Sequence, residues 1–128
     1  MYLTEAIVDL DDAEYPMVGI FPTRSRMRRQ LVALGYSEVE GLAGVNGGFL
    51  DSGETARGHE FRYSEIDPMP EDITRCYKLR SRKPNDEPRR EGYYIYNCLA
   101  SYIHLHFLSN PHFTLRWLEL CCRTKITT

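Results

Sequence analysis

The stretch ASYIHLHF, residues 100–107, places two histidines inside an apolar run whose composition is typical of a β-strand. Because successive side chains of a strand point to opposite faces, His104 and His106 are expected to share one face. The other face, which we expect to pack on a core, carries Ile103, Leu105 and Phe107. The alternation therefore predicts a strand that is half core and half site. The alternative for either ring is an ordinary buried imidazole that hydrogen-bonds a backbone carbonyl.

A second run with a histidine, RGHEFRYS at residues 57–64, alternates in the same way. Glu60 and Arg62 share one face of this predicted strand, and the other face carries His59, Phe61 and Tyr63. If the two strands approach each other, Glu60 is placed to orient an imidazole or a neighbouring arginine, as carboxylates beside catalytic histidines do. The alternative is a surface Glu60–Arg62 pair that contributes little to stability.

The composition of the chain predicts one globular domain with a modest core, since 128 residues contain 42% hydrophobic residues. No apolar run of about 18 residues occurs, and no basic region followed by an apolar stretch opens the sequence. We therefore expect no membrane span and no signal peptide, and the cytoplasm is the expected compartment. The net charge of −2 does not indicate a nucleic-acid partner. Two arginine-rich stretches, residues 24–29 and 80–90, are expected to be solvated.

The cysteines lack the Cys-x-x-Cys spacing of a zinc site and lie in strand-like or helical contexts. They are predicted to be reduced and mostly buried thiols: Cys76, Cys98, Cys121 and Cys122.

Periodicity and turn residues predict the order of the elements. Residues 1–10 are predicted to be the end of an amphipathic helix, and residues 24–36 to be either a basic amphipathic helix or two strands joined by a turn. Pro111 suits the first turn of a closing helix, whose buried stripe is predicted to be Leu115, Leu118 and Cys122. Strands are predicted at residues 15–21, 55–66, 73–79 and 92–101, a loop at 47–53, and a polar loop at 80–91.

Several motifs together resemble the glutaminase domain of cobyrinate a,c-diamide synthases. They are YPMVG at residues 15–19, LGY at 34–36, RGHEFRYS at 57–64, ASYIHLHF at 100–107 and SNP at 109–111. The two histidine-bearing motifs occur in the order that the family shows, and together they are much more specific than any single short motif. Two departures are Arg62, where the family more often has histidine, and Tyr96-Asn97-Cys98, where a Gly-Asn pair is common.

The resemblance implies an α/β fold, a partial class I glutamine amidotransferase-like (flavodoxin-like) domain with a mixed sheet and flanking helices over residues 1–128. In such enzymes a Gly-x-Cys-Gly-Gly nucleophile elbow directly precedes a segment similar to Met-Tyr-Leu, and an ATP-binding synthetase domain lies further upstream. Both are expected to be absent from this chain, so the isolated chain is expected to be inactive. Sheet edges left exposed by that absence predict self-association.

By resemblance, His104 aligns with the catalytic histidine of a Cys-His amidotransferase, which keeps the cysteine ionised and protonates the departing ammonia. Possible supporting or substrate-binding residues are His106, His59, Glu60, Tyr102 and Arg62. No metal and no cofactor are expected on this chain, whereas ATP and Mg²⁺ are implied for the complete enzyme. The implied partners are glutamine, a cobyrinate-like polycarboxylate tetrapyrrole and the synthetase domain, with no nucleic acid and no membrane.

Two alternatives from other functional classes remain open. His59, Glu60, His104 and His106 could form a divalent-metal site on a β-scaffold. The chain could also be a non-catalytic assembly module that keeps the family fold without its nucleophile.

Overall fold

The computed structural model describes residues 1–45, 47–80 and 88–123, and ten strands in this part of the chain form two sheets. The first sheet has the order β2-β1-β3-β6 and the second the order β10-β5-β4-β7-β8-β9. The first-sheet strands are β1 (Thr4–Val8), β2 (Glu14–Pro16), β3 (Phe21–Met27) and β6 (Ser64–Ile66). The second-sheet strands are β4 (Ala33–Gly41), β5 (Thr55–Arg62), β7 (Thr74–Arg80), β8 (Arg89–Ile95), β9 (Cys98–Ala100) and β10 (His104–Leu105).

The first sheet is mixed, because β1 pairs in parallel with β3 while its other pairings are antiparallel. The prediction of a helix over residues 1–10 is wrong. Thr4, Ala6 and Val8 are buried, and burial of every second residue is the pattern of a β-strand. Asp9 then turns the chain by accepting hydrogen bonds from the amides of Asp11 and Ala13, at 2.8 and 2.9 Å.

The second sheet is antiparallel throughout. Its β8–β9 hairpin turns at Tyr96 and Asn97, which both have positive φ angles, of 51° and 60°. A two-residue turn with positive φ at both positions follows the twist of the strands that it joins. The tight connection places β9 at one edge of the sheet, whereas β10 lies at the other edge, beside β5.

The main core lies on the second sheet and brings together residues from strands, loops and the C-terminal helix. Tyr77 is fully buried there, and its hydroxyl donates a 2.7 Å hydrogen bond to the carbonyl of Gly48. The other buried members are Val39, Leu50, Ala56, Cys76, Ile103 and Phe113. A smaller cluster of Phe21, Met69 and Ile73 packs where the two sheets meet, with Tyr93 and Ile66 against it.

Helix α1 (Pro111–Arg123) begins as predicted: Pro111 is its first residue, and Asn110 Oδ1 accepts hydrogen bonds from the amides of His112 and Phe113. Its predicted buried stripe is wrong, since Leu115, Leu118 and Cys122 are all exposed. The helix contributes Phe113 to the core instead. Phe107, predicted to face a core, is half exposed and stacks on the exposed ring of Trp117.

Four other predictions compare with the structure as follows. Residues 24–36 form parts of two strands, β3 and β4, which selects the second of the two alternatives. The predicted strand over residues 55–66 is confirmed but is divided at Tyr63 into β5 and β6. The strand predicted over residues 15–21 is wrong, because β2 ends at Pro16 and β3 begins only at Phe21. The polar loop predicted over residues 80–91 is wrong at its ends, because Arg80 belongs to β7 and residues 89–91 belong to β8, and residues 81–87 lie outside the described residues.

The expected α/β class with a mixed sheet is confirmed, and α1 is the α-helix that the described residues contain. Within the same residues, no helix combines the length and hydropathy that crossing a bilayer requires.

Candidate functional site

His104 and His59 form the centre of the candidate site, because β10 pairs with β5 so that these two residues lie directly opposite each other. Their imidazole rings stack with centroids 4.9 Å apart and planes inclined by 26°. Both side chains are exposed, and Tyr36 of β4 lies opposite His59 on the other flank. The two histidine-bearing strands therefore do approach each other, and the paired rings face solvent.

A close backbone approach at Gly58 makes this pairing possible. A Cβ atom at position 58 would lie 2.1 Å from the carbonyl oxygen of His104, far inside van der Waals contact. Only glycine therefore lets β10 approach β5 this closely. The glycine of the Gly-His-Glu-Phe motif has a structural role in placing His104.

His104 lies in the short segment 101–109, here called the His104 segment, which is tied to β5 at several points. The amide of His106 donates to the carbonyl of Arg57 at 2.8 Å, and the amide of Arg57 donates to Ser109 Oγ at 2.9 Å. His106 itself is exposed and immediately precedes a 3-10 turn, Phe107–Ser109. His106 therefore lies two residues after the candidate base, just past the end of β10.

Glu60 lies on the opposite face of β5 and is 6% exposed, so the alternative of a weak surface Glu60–Arg62 pair is wrong. Its Oε1 accepts hydrogen bonds from Arg62 Nε at 3.2 Å and from Arg89 Nη2 at 2.8 Å. Of the two roles that the sequence suggested for Glu60, orienting arginine is the one that the geometry supports. The carboxylate lies on the face away from the histidine rings, since β5 alternates between buried and exposed side chains.

Tyr102 connects the arginine cluster to the His104 segment. The Arg62 guanidinium lies 4.5 Å from the centroid of the Tyr102 ring, a cation–π geometry. The Tyr102 hydroxyl and Ser64 Oγ are 3.1 Å apart and hydrogen-bonded. Arg62 also donates to the Ser64 carbonyl at 2.5 Å. Tyr102 and Arg62 are therefore brought together on the interior side of the sheet.

A cavity of about 330 Å³ opens beside Tyr102, where the two sheets meet. Glu91, which sequence reasoning did not single out, lies on its wall and is 3% exposed. The sequence does contain a signal for Glu91, because it is an acidic residue followed by glycine within a β-prone run. This pattern suggests an irregular strand. The other lining residues include Met1, Tyr2, Phe21, Ile66, Tyr93 and Ser101.

Two of the thiols, those of Cys76 and Cys98, are not activated as nucleophiles. Burial raises the pKa of Cys76 to about 11, and burial also raises the pKa of Cys98. A raised pKa keeps a thiol protonated at neutral pH and therefore weakly nucleophilic. Cys121 and Cys122 are exposed on α1, and Cys98 is partly buried. The prediction of mostly buried thiols is therefore fully correct only for Cys76.

The geometry does not favour the metal-site alternative. Among the described residues, no group of three or more His, Cys, Asp or Glu side chains is arranged to hold a metal ion. Glu60 is separated from the two stacked histidines because it occupies the other face of β5.

The arginine-rich stretches are largely engaged in ion pairs. Arg26 bonds Asp67 at 2.7 Å and holds the pKa of that carboxyl below its usual range. Arg80 bonds Glu38 and Glu40, at 3.2 and 2.9 Å, on the neighbouring strand. These contacts agree with the expectation of solvated charged faces, and residues 82 and 83 lie outside the described part of the chain.

Comparison with known proteins relates this site to a protein family. Residues 1–112, which include every candidate site residue, match the family described as the CobB/CobQ-like glutamine amidotransferase domain. The chain is 41% identical over 123 residues to a cobyrinate a,c-diamide synthase of Thermoplasma volcanium, and 40% identical over 126 residues to that of Priestia megaterium. The alignments cover 96% and 98% of this chain. The chain spans about a quarter of the length of these relatives, 26% in both cases.

Proposed function

The chain belongs to the CobB/CobQ-like glutamine amidotransferase domain family, and from this premise we propose that His104 is the general base of a glutamine hydrolysis that releases ammonia. The observation that carries the proposal is the placement of His104 itself. Its ring is exposed, stacked on His59, and located on a segment that is tied to β5 at several points. A general base needs this combination of access and restricted position.

In the proposed reaction, a cysteine thiol supplied from outside the described residues transfers its proton to the His104 imidazole. The thiolate attacks the side-chain amide carbon of glutamine, and a tetrahedral oxyanion forms. The protonated imidazole returns its proton to the nitrogen as the carbon–nitrogen bond breaks, so ammonia leaves and a thioester remains. His104 then takes a proton from water, whose oxygen attacks the thioester carbon. The carbon–sulfur bond breaks, glutamate is released, and the departing thiolate recovers the proton from the His104 imidazolium.

The other candidate residues are proposed to support this reaction in two groups. His59 restricts the His104 ring by stacking on it, and His106 lies at the exposed end of the same segment, where it can contact the glutamine donor. On the interior side, Glu60 orients Arg62, and Arg62 packs on Tyr102, two residues before His104. The second group is therefore proposed to act on His104 indirectly, through the backbone between Tyr102 and His104.

For the complete protein, we propose an ATP-dependent ligase that uses this ammonia to amidate carboxylates of a cobyrinate-like tetrapyrrole. The names of the relatives and the quarter of their length that the chain spans support this proposal. In it, residues 1–128 are part of the amidotransferase domain, and the nucleophile elbow and a synthetase domain lie upstream.

ATP and Mg²⁺ are assigned to the remainder of the protein, because the residues present here do not suit them. The printed sequence contains no Gly-x-x-x-x-Gly-Lys phosphate loop. The described residues also lack a cluster of three or more side chains that could hold a metal ion. This domain is proposed to supply ammonia only.

The first test is to translate, in frame, the genomic sequence upstream of the Met1 codon. We expect a Gly-x-Cys-Gly-Gly elbow there. An upstream stop codon with no elbow would contradict the proposal and favour a non-catalytic assembly module.

The second test compares two nitrogen donors in the full-length protein. The His104→Asn variant is expected to lose glutamine-dependent amidation by about 10²-fold or more, since general base catalysis is worth about that much. Amidation supplied with free ammonium should be unchanged, because it bypasses glutamine hydrolysis. His112→Asn is the matched control, since His112 is an exposed histidine on α1. Full glutamine-dependent activity in His104→Asn would refute the assignment.

A further inference from the structure

Glu91 is a buried carboxylate that bonds the residues immediately before His104. It lies in β8 and is 3% exposed. Its Oε1 accepts a hydrogen bond from the amide of Tyr102 at 3.1 Å, and its Oε2 accepts one from the hydroxyl of Ser101 at 2.6 Å. The amide of Gly92 also donates to Oε2, at 2.5 Å. Two of these three donors belong to the His104 segment.

Ser101 extends the contact one residue further along the chain. Its hydroxyl donates to Glu91 and at the same time accepts a 2.9 Å hydrogen bond from the amide of Ile103. The amides of the two residues that precede His104 are therefore both fixed, one directly by Glu91 and one through Ser101. The Ile103 side chain is buried in the main core, so the residue before His104 is held by its side chain as well as by its amide.

The charge of Glu91 is not explained by an ion pair. Among the described residues, no arginine or lysine forms a salt bridge with it. Arg62 and Arg89, which line a second cavity together with Glu91, bond Glu60 instead. A buried charge costs several kcal/mol unless hydrogen bonds compensate it. Hydrogen bonds to an ionised acceptor are about twice as strong as neutral ones. The carboxylate is thus suited to holding a short irregular segment that an apolar side chain could not hold.

The backbone around Glu91 is shaped for this contact. Gly92 has a φ angle of +73°, and a Cβ atom there would lie 2.3 Å from the Tyr77 ring. Only glycine fits this position, and it lets the Gly92 amide reach the Glu91 side chain that precedes it. The conformation of Gly92 therefore supports the hydrogen bonds by which Glu91 holds the residues before His104.

We propose that Glu91 is a positioning residue for His104, acting through Ser101 and Tyr102 on where the imidazole lies. The proposal rests on the proposed function of His104 as the base of glutamine hydrolysis. Glu91 does not take part in proton transfer. Its effect comes from geometry, since a displacement of about 1 Å can cost a catalytic group on the order of 10²-fold in rate.

The experiment uses the full-length protein and the variants Glu91→Gln and Ser101→Ala, with Glu71→Gln as an exposed control. A glutamine side chain carries an NH₂ group, with two N–H donors, in place of one carboxylate oxygen. In Glu91→Gln this NH₂ group would face a hydrogen-bond donor of the protein, so the hydrogen bond at that position would be lost. We expect kcat for glutamine-dependent amidation to fall at least tenfold in Glu91→Gln and about threefold in Ser101→Ala. The KM for glutamine should stay within about threefold, and ammonium-dependent amidation should not change.

A local readout separates positioning from general instability. Hydrogen exchange at the amides of Tyr102 and Ile103 should accelerate at least tenfold in Glu91→Gln, whereas exchange at Val39 and Phe113 should not change. If Glu91→Gln does not fold, Ser101→Ala gives the same test, because it removes one link and leaves the carboxylate in place.

Three outcomes would overturn the inference. The first is an unchanged kcat in a variant whose amides at 102 and 103 exchange faster. The second is an equal loss of glutamine-dependent and ammonium-dependent rates, which indicates a structural role. The third is a raised KM with an unchanged kcat, which indicates contact with glutamine. Failure of the proposed function is distinguishable, because it would appear as full glutamine-dependent activity in His104→Asn.

Discussion

The His104 segment and helix α1 follow each other in the chain but are held in place by different means. The His104 segment is short and irregular, and hydrogen bonds to backbone and side chains tie it to β5 and β8. Helix α1 is regular, but only Phe113 of its side chains is buried, and Arg116 bonds Glu54 and Asp51 at the surface. Regular secondary structure is therefore not what fixes the position of the segment that carries His104.

The largest effect is expected from removing Phe113, the buried side chain of α1. Phe113→Ala should lower the free energy of unfolding by about 3 kcal/mol, because it empties a site in the main core. Urea unfolding followed by circular dichroism measures the change. Leu118→Ala, on the same helix but 45% exposed, is the control and should cost less than about 0.5 kcal/mol. Equal losses in the two variants would mean that α1 docks through its exposed stripe.

A somewhat smaller effect should follow from pushing β10 away from β5. Gly58→Ala places a methyl group 2.1 Å from the His104 carbonyl oxygen, which is backbone and cannot move without disrupting the pairing. We expect a loss of about 2 kcal/mol, with faster hydrogen exchange at the amide of His106.

Gly53→Ala is the control for Gly58→Ala, since Gly53 has a positive φ angle of 80° but open space around its missing Cβ. It should cost about 1 kcal/mol through backbone strain alone and leave the His106 amide protected. Unchanged protection of that amide in Gly58→Ala would show that the close approach does not hold the His104 segment.

Acid should weaken the attachment of α1, because Glu54 bonds Arg116 of that helix. Arg116 and the Asp51 amide hold the pKa of Glu54 at about 2, below its usual 4.5. Because the pKa is lowered in the folded state, the stabilisation is complete above pH 4.5 and is lost as the pH falls toward about 2. Glu54 is partly exposed, so solvent screening limits the loss to about 1 kcal/mol.

Carboxyl carbon NMR of Glu54 tests this acid response. Arg116→Met should return its titration toward the usual range, whereas Arg57→Met, at an exposed pair on β5, should not. A midpoint of Glu54 that does not respond to Arg116→Met would show that the ion pair is not formed in solution.

The smallest effect concerns chemical access and should leave the fold unchanged. Cys121 and Cys122 are exposed on α1, whereas Cys76 is buried with a pKa raised to about 11. At pH 8, iodoacetamide should modify the first two thiols at least tenfold faster than Cys76, because the thiolate is the reactive form. Mass spectrometry of timed samples gives the rates. Comparable labelling of Cys76 would mean that the core opens readily.

Local patterns of the sequence predicted the faces of β5 well. The alternation in residues 57–64 predicted that His59 and Phe61 share one face and that Glu60 lies on the other, which is correct. The structure adds that the face of Glu60 is the buried one. The same reasoning was wrong for residues 1–10, whose apolar positions fit a helix and a strand about equally. The pairing of β1 with β3 selects the strand, and no local pattern contains that pairing.

The helix stripe of α1 was wrong for a related physical reason. Leu115, Leu118 and Cys122 have helical spacing, and the spacing is correct, since the helix forms where predicted. Spacing states which residues share a face, but it does not state whether another element covers that face. In the described residues the neighbouring elements cover Phe113 instead.

The sequence by itself determined the family, the α/β class and the candidate base, because the histidine-bearing motifs and their alternation are local and specific. The tertiary structure alone decided that His104 stacks on His59, that Glu60 orients arginines, and that Glu91 bonds the residues before His104. The physical reason is that these contacts join residues far apart in the chain. Their partners depend on strand pairing and on a close approach at Gly58, which no short stretch of sequence encodes.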